Sequence, residues 1–487
     1  MQTITLAMSV DDIIGKVQDA VWGWPLIILI LAAGVWLTVR TGFVQVRHLG
    51  KALKFMVKNE DNGEGEVTSF GALCTALSAT IGTGNIVGVA TAICLGGPGA
   101  LLWMLLAAFF GMATKYSEGF LAIKYREKKD DGHYLGGPFY YIEKGLGSKW
   151  KWLAKLFAVF GICVGLFGIG TFTQINGIAT AVQDFFDPES AHVAFTLLGN
   201  DYTWATVIGG LVVTLCVALV VLGGIQRIAK VSEVIVPFMA ITYVVFALII
   251  VLGHITAIPA AVKLICQSAF DPKAALGAAT GVTIKMAMQK GIGRGIFSNE
   301  AGLGSAPIAA AAAKTKDTVR QGLVTMTGTF IDTIVICTLT GLSIVVTGAQ
   351  NAFVAGSVEG VKITSRAWQT GLPWNGRFSA FVLMVCLAFF AFTTILGWNY
   401  YSERCLEYLV GSQKFTKVYR YVYILAVFIG PYLTVAAVWN IADICNGLMA
   451  FPNLVALFAL SGVVGKETRA YFAEKRHDLK AMAQDKK

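Results

Sequence analysis

Apolar runs of about 20 residues recur along the whole chain, separated by short segments that hold most of the charges. A helix of that length crosses a hydrocarbon core roughly 30 Å thick. The pattern therefore predicts an all-α polytopic membrane protein. Eleven transmembrane helices are predicted, near residues 22–39, 68–92, 98–124, 153–181, 203–222, 231–253, 277–313, 321–347, 378–400, 418–437 and 439–463.

The composition excludes an ordinary soluble domain. Of 487 residues, 56% are apolar and only 14% are charged, whereas soluble domains carry roughly 25% charged residues. The nine cysteines are scattered and form no Cys-x-x-Cys pair, so neither a disulfide framework nor a metal centre is indicated. No cofactor is expected.

Basic residues are distributed unevenly between the two sides of the predicted membrane. With the amino terminus outside, the outer segments hold six Lys and Arg residues and the inner segments hold 28. This asymmetry follows the positive-inside rule. It predicts a multi-pass protein of the cell (inner) membrane with a cytoplasmic carboxyl terminus. The basic tail from Lys466 is then a solvated end beside anionic lipid, and no nucleic-acid partner is expected.

The first span is predicted to be a retained anchor. It follows Asp11 and Asp12, lacks a basic segment before it and is followed by Arg40, unlike a cleaved signal peptide. Two halves of five spans follow, and because five is odd, related halves would be inverted in the membrane. The predicted units are the outer terminus, anchor and basic linker at 1–60, inverted repeats at 61–254 and 255–465, and the tail at 466–487.

Glycine-rich polar interruptions occupy corresponding places in the first span of each half, which are the first and sixth core helices. One runs from Ser78 to Asn85 and the other from Phe297 to Pro307. Opening a helix frees N–H and C=O groups, and each unpaired group costs several kcal/mol in lipid. Such a break persists where protein, water, an ion or a substrate pairs those groups. The alternative for the first interruption alone is a close helix crossing through Gly84-x-x-x-Gly88.

Three long motifs carry a resemblance to a known family. They are the stretch from Gly71 to Gly99 with its Ile81-Gly-Thr-Gly-Asn-Ile-Val-Gly88 core, the stretch from Gly136 to Glu143, and the stretch from Phe297 to Pro307. From about residue 20 to 465 the chain resembles the alanine/glycine:cation symporters of the amino acid–polyamine–organocation superfamily. The resemblance implies a five-plus-five inverted-repeat fold with broken first and sixth core helices.

The same resemblance implies Na⁺-coupled uptake of alanine or glycine by alternating access, often with D-alanine accepted, and less often H⁺-coupled uptake. The substrate carboxylate would meet the backbone around Thr83 and Gly84. An aromatic wall and an amide would come from Phe172 and Gln174, and Trp398 would close another side. The full predicted substrate site is Thr83, Gly84, Asn85, Phe172, Gln174, Phe297, Ser298, Asn299 and Trp398.

A pair of threonines is the candidate cation site. Na⁺ favours oxygen ligands, and freed carbonyls at a helix break suit it. Thr393 and Thr394 lie at mid-depth in their span, so their hydroxyls opposite carbonyls near Ser78 and Ile81 would make a neutral oxygen cage. The alternative is that both threonines bond back to their own helix.

Ionisable residues inside the spans are functional candidates because they are costly in lipid. Glu118 is predicted to accept hydrogen bonds from backbone donors at the second break. Asp332 can pair with a cation, titrate or anchor Asn85, and the sequence leaves these three roles open. Arg294, with Lys285 and Lys290, either lines an outer vestibule that attracts carboxylates or forms part of a solvated helix face, and the sequence assigns no role to Asp443.

Other classes of membrane protein lack their signatures here. A channel filter usually needs a repeated loop around an axis, a primary pump needs a nucleotide-binding Gly-rich loop, and a membrane enzyme needs convergent catalytic groups; none appears in the sequence. The prediction is a secondary transporter and not an enzyme. Its partners are a small amino acid, Na⁺ and lipid, and a monomer is expected. An H⁺-coupled symporter and, less favoured, a channel stay as alternatives.

Overall fold

The computed structural model describes residues 10–58, 60, 63–197, 200–271, 282–352, 360–433 and 435–484. Within this part of the chain, eight helices are long and apolar enough to cross a membrane. A ninth span is the pair Ser69–Thr80 and Gly84–Gly96, which is bent by 51°. Shorter helices lie in the predicted 277–313 and 418–437 spans, so the count of eleven stays a prediction. The first residues of the 277–313 span lie outside the described residues.

The first half of the chain is helical except for two short hairpins. Its helices are α1 (Val10–Val21), α2 (Trp24–Arg40), α3 (Val44–Arg47), α4 (Leu49–Val57), α5 (Ser69–Thr80), α6 (Val89–Gly96), α7 (Ala100–Tyr125), α8 (Pro138–Tyr140), α9 (Lys151–Phe167), α10 (Phe172–Phe186), α11 (Trp204–Val221) and α12 (Gly224–Gly253). The antiparallel hairpins are β1 (Glu127–Lys128) with β2 (Tyr134–Leu135), and β3 (Val193–Leu197) with β4 (Asn200–Thr203).

The second half follows the same pattern of long and interrupted helices. Its helices are α13 (Ile258–Phe270), α14 (Ile284–Asn299), α15 (Ala306–Ala310), α16 (Thr318–Thr329), α17 (Thr338–Val346), α18 (Gly360–Gly371), α19 (Gly376–Val410), α20 (Lys414–Ile429) and α21 (Val435–Gln484). Two π-helical turns, Gly84–Gly88 and Phe330–Cys337, lead into α6 and join α16 to α17. Such turns are often found at functional sites.

Short polar side chains begin several of these helices by pairing a free backbone N–H. Thr68 accepts a hydrogen bond from Gly71 N at 2.8 Å before α5, and Asp317 accepts one from Arg320 N at 2.9 Å before α16. These are ordinary helix caps, each worth about 1 kcal/mol. They fix the residues at which α5 and α16 begin.

The anchor packs on the outside of the core. Gly34 in α2 lies against α7, where a Cβ on this glycine would approach Phe110 Cβ to 2.9 Å. At the outer end Gln18 donates to Asp443 Oδ2 at 2.5 Å and Trp22 Nε1 donates to Asp443 O at 2.7 Å. These contacts tie the anchor to α21.

The predicted 153–181 span is divided into α9 and α10, which the hydropathy pattern does not reveal. The backbone leaves the helix at Gly168, and a Cβ on Gly170 would lie 2.7 Å from Trp398 Cβ. Glycine is required here because α19 approaches the chain so closely. The division starts a new helix at Phe172, and that start determines where the next side chains point.

Candidate functional site

The first break opens where the glycine-rich motif predicted it. Helix α5 ends at Thr80, and Ile81 is extended with φ −78° and ψ 93°. Gly82 N then donates to Asn85 Oδ1 at 2.9 Å, and Thr83 N donates to Gln174 Oε1 at 3.2 Å. The freed N–H groups are therefore paired by side-chain amides, which is what a helix break inside a membrane requires.

The second break begins at Glu300, where the backbone turns left-handed at φ 56°. Gly302 and Gly304 also have positive φ, at 91° and 82°, which glycine adopts without strain. Their N–H groups donate to Glu118 Oε1 at 3.1 and 3.2 Å. The predicted role of Glu118, accepting backbone hydrogen bonds at this break, agrees with the geometry. Asn453 Nδ2 donates to the same oxygen at 2.8 Å.

The two breaks contact each other directly. A Cβ on Gly84 would lie 3.3 Å from Ser298 Cα, so the missing side chain is what allows the approach. Next to this contact lie five buried polar side chains, which we call the Asp332 cluster: Asn85, Ser298, Asn299, Asp332 and Thr333.

Hydrogen bonds converge on the carboxylate of the Asp332 cluster. Asn85 Nδ2 donates to Asp332 Oδ1 at 2.7 Å, Ser298 Oγ donates to Oδ2 at 3.0 Å, and Thr333 Oγ1 donates to Oδ2 at 2.6 Å. Asn299 Nδ2 in turn donates to Thr333 Oγ1 at 2.9 Å. The sequence left three roles open for Asp332, and the structure shows one of them: Asp332 anchors Asn85.

The four residues of the predicted sodium cage are only partly brought together. Thr394 Oγ1 reaches the freed carbonyl of Ile81 at 3.3 Å. Both threonine hydroxyls also bond back to their own helix at Phe390 O, each at 3.0 Å, and Thr393 Oγ1 lies 3.5 Å from Met239 Sδ. Ser78 Oγ bonds back to its own helix. Adjacent helical residues point about 100° apart, so Thr393 and Thr394 do not both face α5.

Among the predicted substrate residues, Gln174 lies at the first break and Phe172 does not. The Phe172 ring packs on Phe167, with centroids 6.2 Å apart, and against Gly430. Residues two apart on a helix point to nearly opposite sides, so Gln174 and Phe172 cannot line one small pocket. This placement argues against Phe172 as an aromatic wall.

Two other predicted aromatic residues differ in their surroundings. Phe297 lies in the last turn of α14, directly before Ser298 of the Asp332 cluster, with the Arg294 guanidinium 5.4 Å from its ring centre. Trp398 is fully buried, and its Nε1 donates to Glu300 Oε1 at 2.9 Å. Trp398 therefore supports the second break from α19, a different position from the pocket wall that the sequence predicted.

Two buried charges at the second break were missed by the sequence reasoning. Glu300 accepts from Trp398 and also from Ser305 Oγ, although it was read only as part of a motif. Lys115 lies in the middle of α7 with 1% of its surface exposed. The available signal for Lys115 was an ionisable residue inside an apolar span, the same signal that singled out Glu118 three residues later.

A large cavity leads to the first break from the predicted outer side. Its volume is about 780 Å³, and Ile86 lies at its base beside Leu383 and Leu387. Its charged lining residues are Asp184, Lys362, Arg366 and Arg377. The cavity therefore reaches the π-helical turn that carries Asn85 and Ile86.

On the side predicted to be cytoplasmic, the Arg126 side chain joins the ends of the two broken spans. Arg126 donates to Ala311 O, Ala313 O, Thr315 O and Glu64 O, at 2.6–2.8 Å. In the adjacent loop His133 is partly buried, which would lower its pKa, but hydrogen bonds to Glu407 and Asp131 raise this pKa above the usual value. These contacts hold the inner ends together.

The chain is similar to known proteins over nearly its whole length. The family model described as the sodium:alanine symporter family matches residues 7–486. An uncharacterized transporter of Haemophilus influenzae is 52% identical over 465 residues, which are 96% of this chain and 97% of that protein. The sodium/alanine symporter AgcS of Methanococcus maripaludis is 44% identical over 477 residues, which are 97% of this chain and 100% of that protein.

A solved structure confirms the fold class. The crystal structure of MhsT in complex with L-phenylalanine matches with a TM-score of 0.55 at 12% identity, over 84% of this chain and 99% of that chain. At this identity the likeness concerns the fold alone, an all-α membrane transporter fold with the predicted inverted-repeat core. With the family match across nearly the whole chain, it follows that this protein belongs to the sodium:alanine symporter family, whose members are transporters and not enzymes.

Proposed function

We propose that the protein takes up alanine and glycine, and also D-alanine, together with Na⁺ by alternating access. Family membership supports a Na⁺-coupled amino acid symporter. The observation that carries the proposal is a buried carboxylate, Asp332, held where the two breaks meet.

The Asp332 cluster favours a cation as the coupling partner. Within hydrogen-bond distance Asp332 has neutral donors, namely Asn85, Ser298 and Thr333. Burying a carboxylate is costly unless it is paired with an opposite charge; Lys115 acts on Asp332 only through space, so a monovalent cation at the breaks would complete the compensation. Ile81 O and Thr394 Oγ1 supply hard oxygen ligands on the other face of the first break.

The space at the first break supports a small substrate. Gly84 lies against Ser298, and a Cβ on Gly82 would lie 2.5 Å from Thr394 Oγ1. We place the substrate carboxylate on the N–H groups around Thr83 and Gly84, where Gln174 now accepts. We expect Asn85, Phe297, Ser298 and Asn299 to line this site, and the close approach of Gly84 to Ser298 favours a substrate whose side chain is a hydrogen or a methyl group.

The driving force follows from charge. An alanine zwitterion is neutral overall, so uphill uptake needs an ion, and each Na⁺ moving inward gains roughly 2.3 kcal/mol per 100 mV of membrane potential. An ion held between Ile81 of the first break and Thr394 of α19 would be released when these elements separate. The outer cavity at Ile86 and the closed inner ends around Arg126 fit a conformation that receives substrate from outside.

The remaining parts of the proposal concern the setting. We propose a monomer in the cell (inner) membrane, with an outer amino terminus and a cytoplasmic tail at 466–487. The two repeats, 61–254 and 255–465, would carry one broken span each. The charge asymmetry of the loops supports this orientation.

Uptake of labelled alanine into proteoliposomes tests the function. An inward Na⁺ gradient at equal pH on both sides should drive accumulation, glycine should compete and leucine should not. H⁺ coupling, with Asp332 as the carrier, is the second candidate, because Asp332 is the carboxylate at both breaks. Uptake that follows a pH gradient and ignores Na⁺ would replace the first proposal with this one.

A further inference from the structure

Lys115 presents a buried positive charge to the second break. It is 1% exposed, and its Nζ has no hydrogen-bond partner among the described residues. Four residues earlier on α7, a Cβ on Gly111 would lie 2.9 Å from Ala301 Cβ. Because residues four apart share a helix face, Lys115 lies on the face of α7 that packs against the second break.

Three buried carboxylates are within electrostatic range of Lys115. They are Glu118, Glu300 and Asp332. The hydrogen bonds of these carboxylates go elsewhere: Glu118 to backbone N–H groups, Glu300 to Trp398 and Ser305, and Asp332 to its own cluster. Lys115 therefore acts on them through space, and this is the buried group that the proposed mechanism leaves unused.

We propose that Lys115 is a tethered counter-cation that sets the Na⁺ affinity of the transporter. This inference rests on the proposed function. A fixed ammonium on the face of α7 that packs against the second break, one turn from Glu118 on the same helix, compensates part of the charge of Glu118, Glu300 and Asp332 permanently, and the same charge repels a mobile cation arriving at the breaks. Na⁺ binding is thereby weakened, which favours release of the ion once the site opens inward.

The sign of this effect separates the proposal from a purely structural role. Removing a structural ion pair loosens the fold and can only weaken ligand binding. Removing a repelling charge strengthens Na⁺ binding, because the field at the breaks becomes more negative. A gain in Na⁺ affinity is thus a result that structural damage does not produce.

The experiment measures Na⁺ half-saturation of initial alanine uptake in proteoliposomes, together with Na⁺-dependent thermal stabilisation of the full chain in detergent. Lys115→Met should lower the half-saturating Na⁺ concentration roughly tenfold, the scale of one unit charge about 10 Å away at an effective dielectric constant of about 20. Lys115→Arg keeps the charge and should stay within about twofold of the parent. An unchanged or raised half-saturation in Lys115→Met overturns the inference.

If Lys115→Met does not fold, the test uses Glu300→Gln and a double variant in which one positive and one negative charge are removed together. Glu300→Gln alone should raise the half-saturating Na⁺ concentration, and Lys115→Met with Glu300→Gln should return it to the parent value. A double variant that matches Glu300→Gln overturns the inference, because Lys115 would then have no effect on Na⁺. A parent protein whose uptake ignores Na⁺ would instead overturn the proposed function, a result visible before any variant is made.

Discussion

The two helix breaks pair their freed backbone groups with different chemistry. At the first break, Gly82 N donates to the neutral amide of Asn85. At the second break, Gly302 N and Gly304 N both donate to the carboxylate of Glu118. One break is therefore held by neutral side chains and the other by a buried charge.

This difference suggests a division of labour. A neutral hydrogen bond contributes about 1 kcal/mol net, whereas bonds to an ionised group are roughly twice as strong. The first break can exchange its protein partners for an ion or a substrate at small cost. The second break, held by Glu118 and supported by Glu300, is better suited to serve as a rigid wall against which the first one moves.

The largest effect is expected at the contact between the breaks. Gly84→Val should reduce alanine uptake to background, because the new side chain would collide with Ser298, 3.3 Å from the Cβ position. Uptake by vesicles, normalised to inserted protein, is the measurement. The matched control is Gly88→Ala, since a Cβ at Gly88 meets nothing within 4 Å.

The same two variants distinguish the two explanations for these glycines: a helix break that binds a ligand, or a close helix crossing. If Gly88→Ala abolished uptake as completely as Gly84→Val, the Gly84-x-x-x-Gly88 crossing would be the reason for both glycines. Retained uptake in Gly88→Ala supports the break.

The next largest effect concerns the second break, which Glu118 holds. Glu118→Leu should destabilise the protein by about 3–5 kcal/mol, the usual cost of removing one partner from a buried charged network. Thermal unfolding in detergent measures it. Glu467→Leu is the control: Glu467 pairs with Lys124 at 2.6 Å but is 41% exposed, and such surface pairs are worth about 0–1 kcal/mol. Equal losses in both variants would contradict a rigid second break.

Much of the site could be predicted from the sequence because helix breaks in lipid have few solutions. The interruptions at Ser78–Asn85 and Phe297–Pro307 open where glycine and polar residues replace the apolar pattern. The bonds to Glu118 follow from the need to pair buried polar groups. The partnership of Asn85 with Asp332 was one of three roles that the sequence left open for Asp332.

Side-chain direction could not be predicted in the same way. The orientation of Phe172 depends on where α10 begins. Glycine and threonine residues from Gly168 to Thr173 mark an irregular turn in the sequence, but they do not give the residue at which the new helix starts. Trp398 was expected to close one side of the substrate site, but its bond to Glu300 makes it a support of the second break. Trimming Trp398 is therefore expected to loosen that break.

A smaller effect separates the two threonines. Thr394→Ala should raise the half-saturating Na⁺ concentration about tenfold, equal to about 1.4 kcal/mol for one lost oxygen ligand. Thr393→Ala should change it by less than about twofold, because the Thr393 hydroxyl faces Phe390 O and Met239. Initial uptake against Na⁺ at constant pH measures both. Equal shifts in the two variants would mean that Thr393 turns toward the ion when it binds.

The smallest effect tests the different roles of the two breaks by replacing one uncharged polar side chain at each. Gln174→Leu removes the acceptor that pairs Thr83 N at the first break. Asn453→Leu removes the donor to Glu118 Oε1 at 2.8 Å and to Gly302 O at 2.9 Å at the second. Each change costs about 1 kcal/mol of hydrogen bonding, but the cost should appear in different measurements.

In Gln174→Leu the loss should appear as a KM for alanine raised about fivefold, the equivalent of about 1 kcal/mol, with little change in thermal stability. In Asn453→Leu the melting temperature should fall and KM should stay near the parent value. The reason is that the second break stabilises the protein but does not exchange its hydrogen-bond partners for substrate. If both variants lost only stability, the amide of Gln174 would be a structural brace. The first break would then be as rigid as the second, and substrate binding would have to be placed elsewhere in the outer cavity.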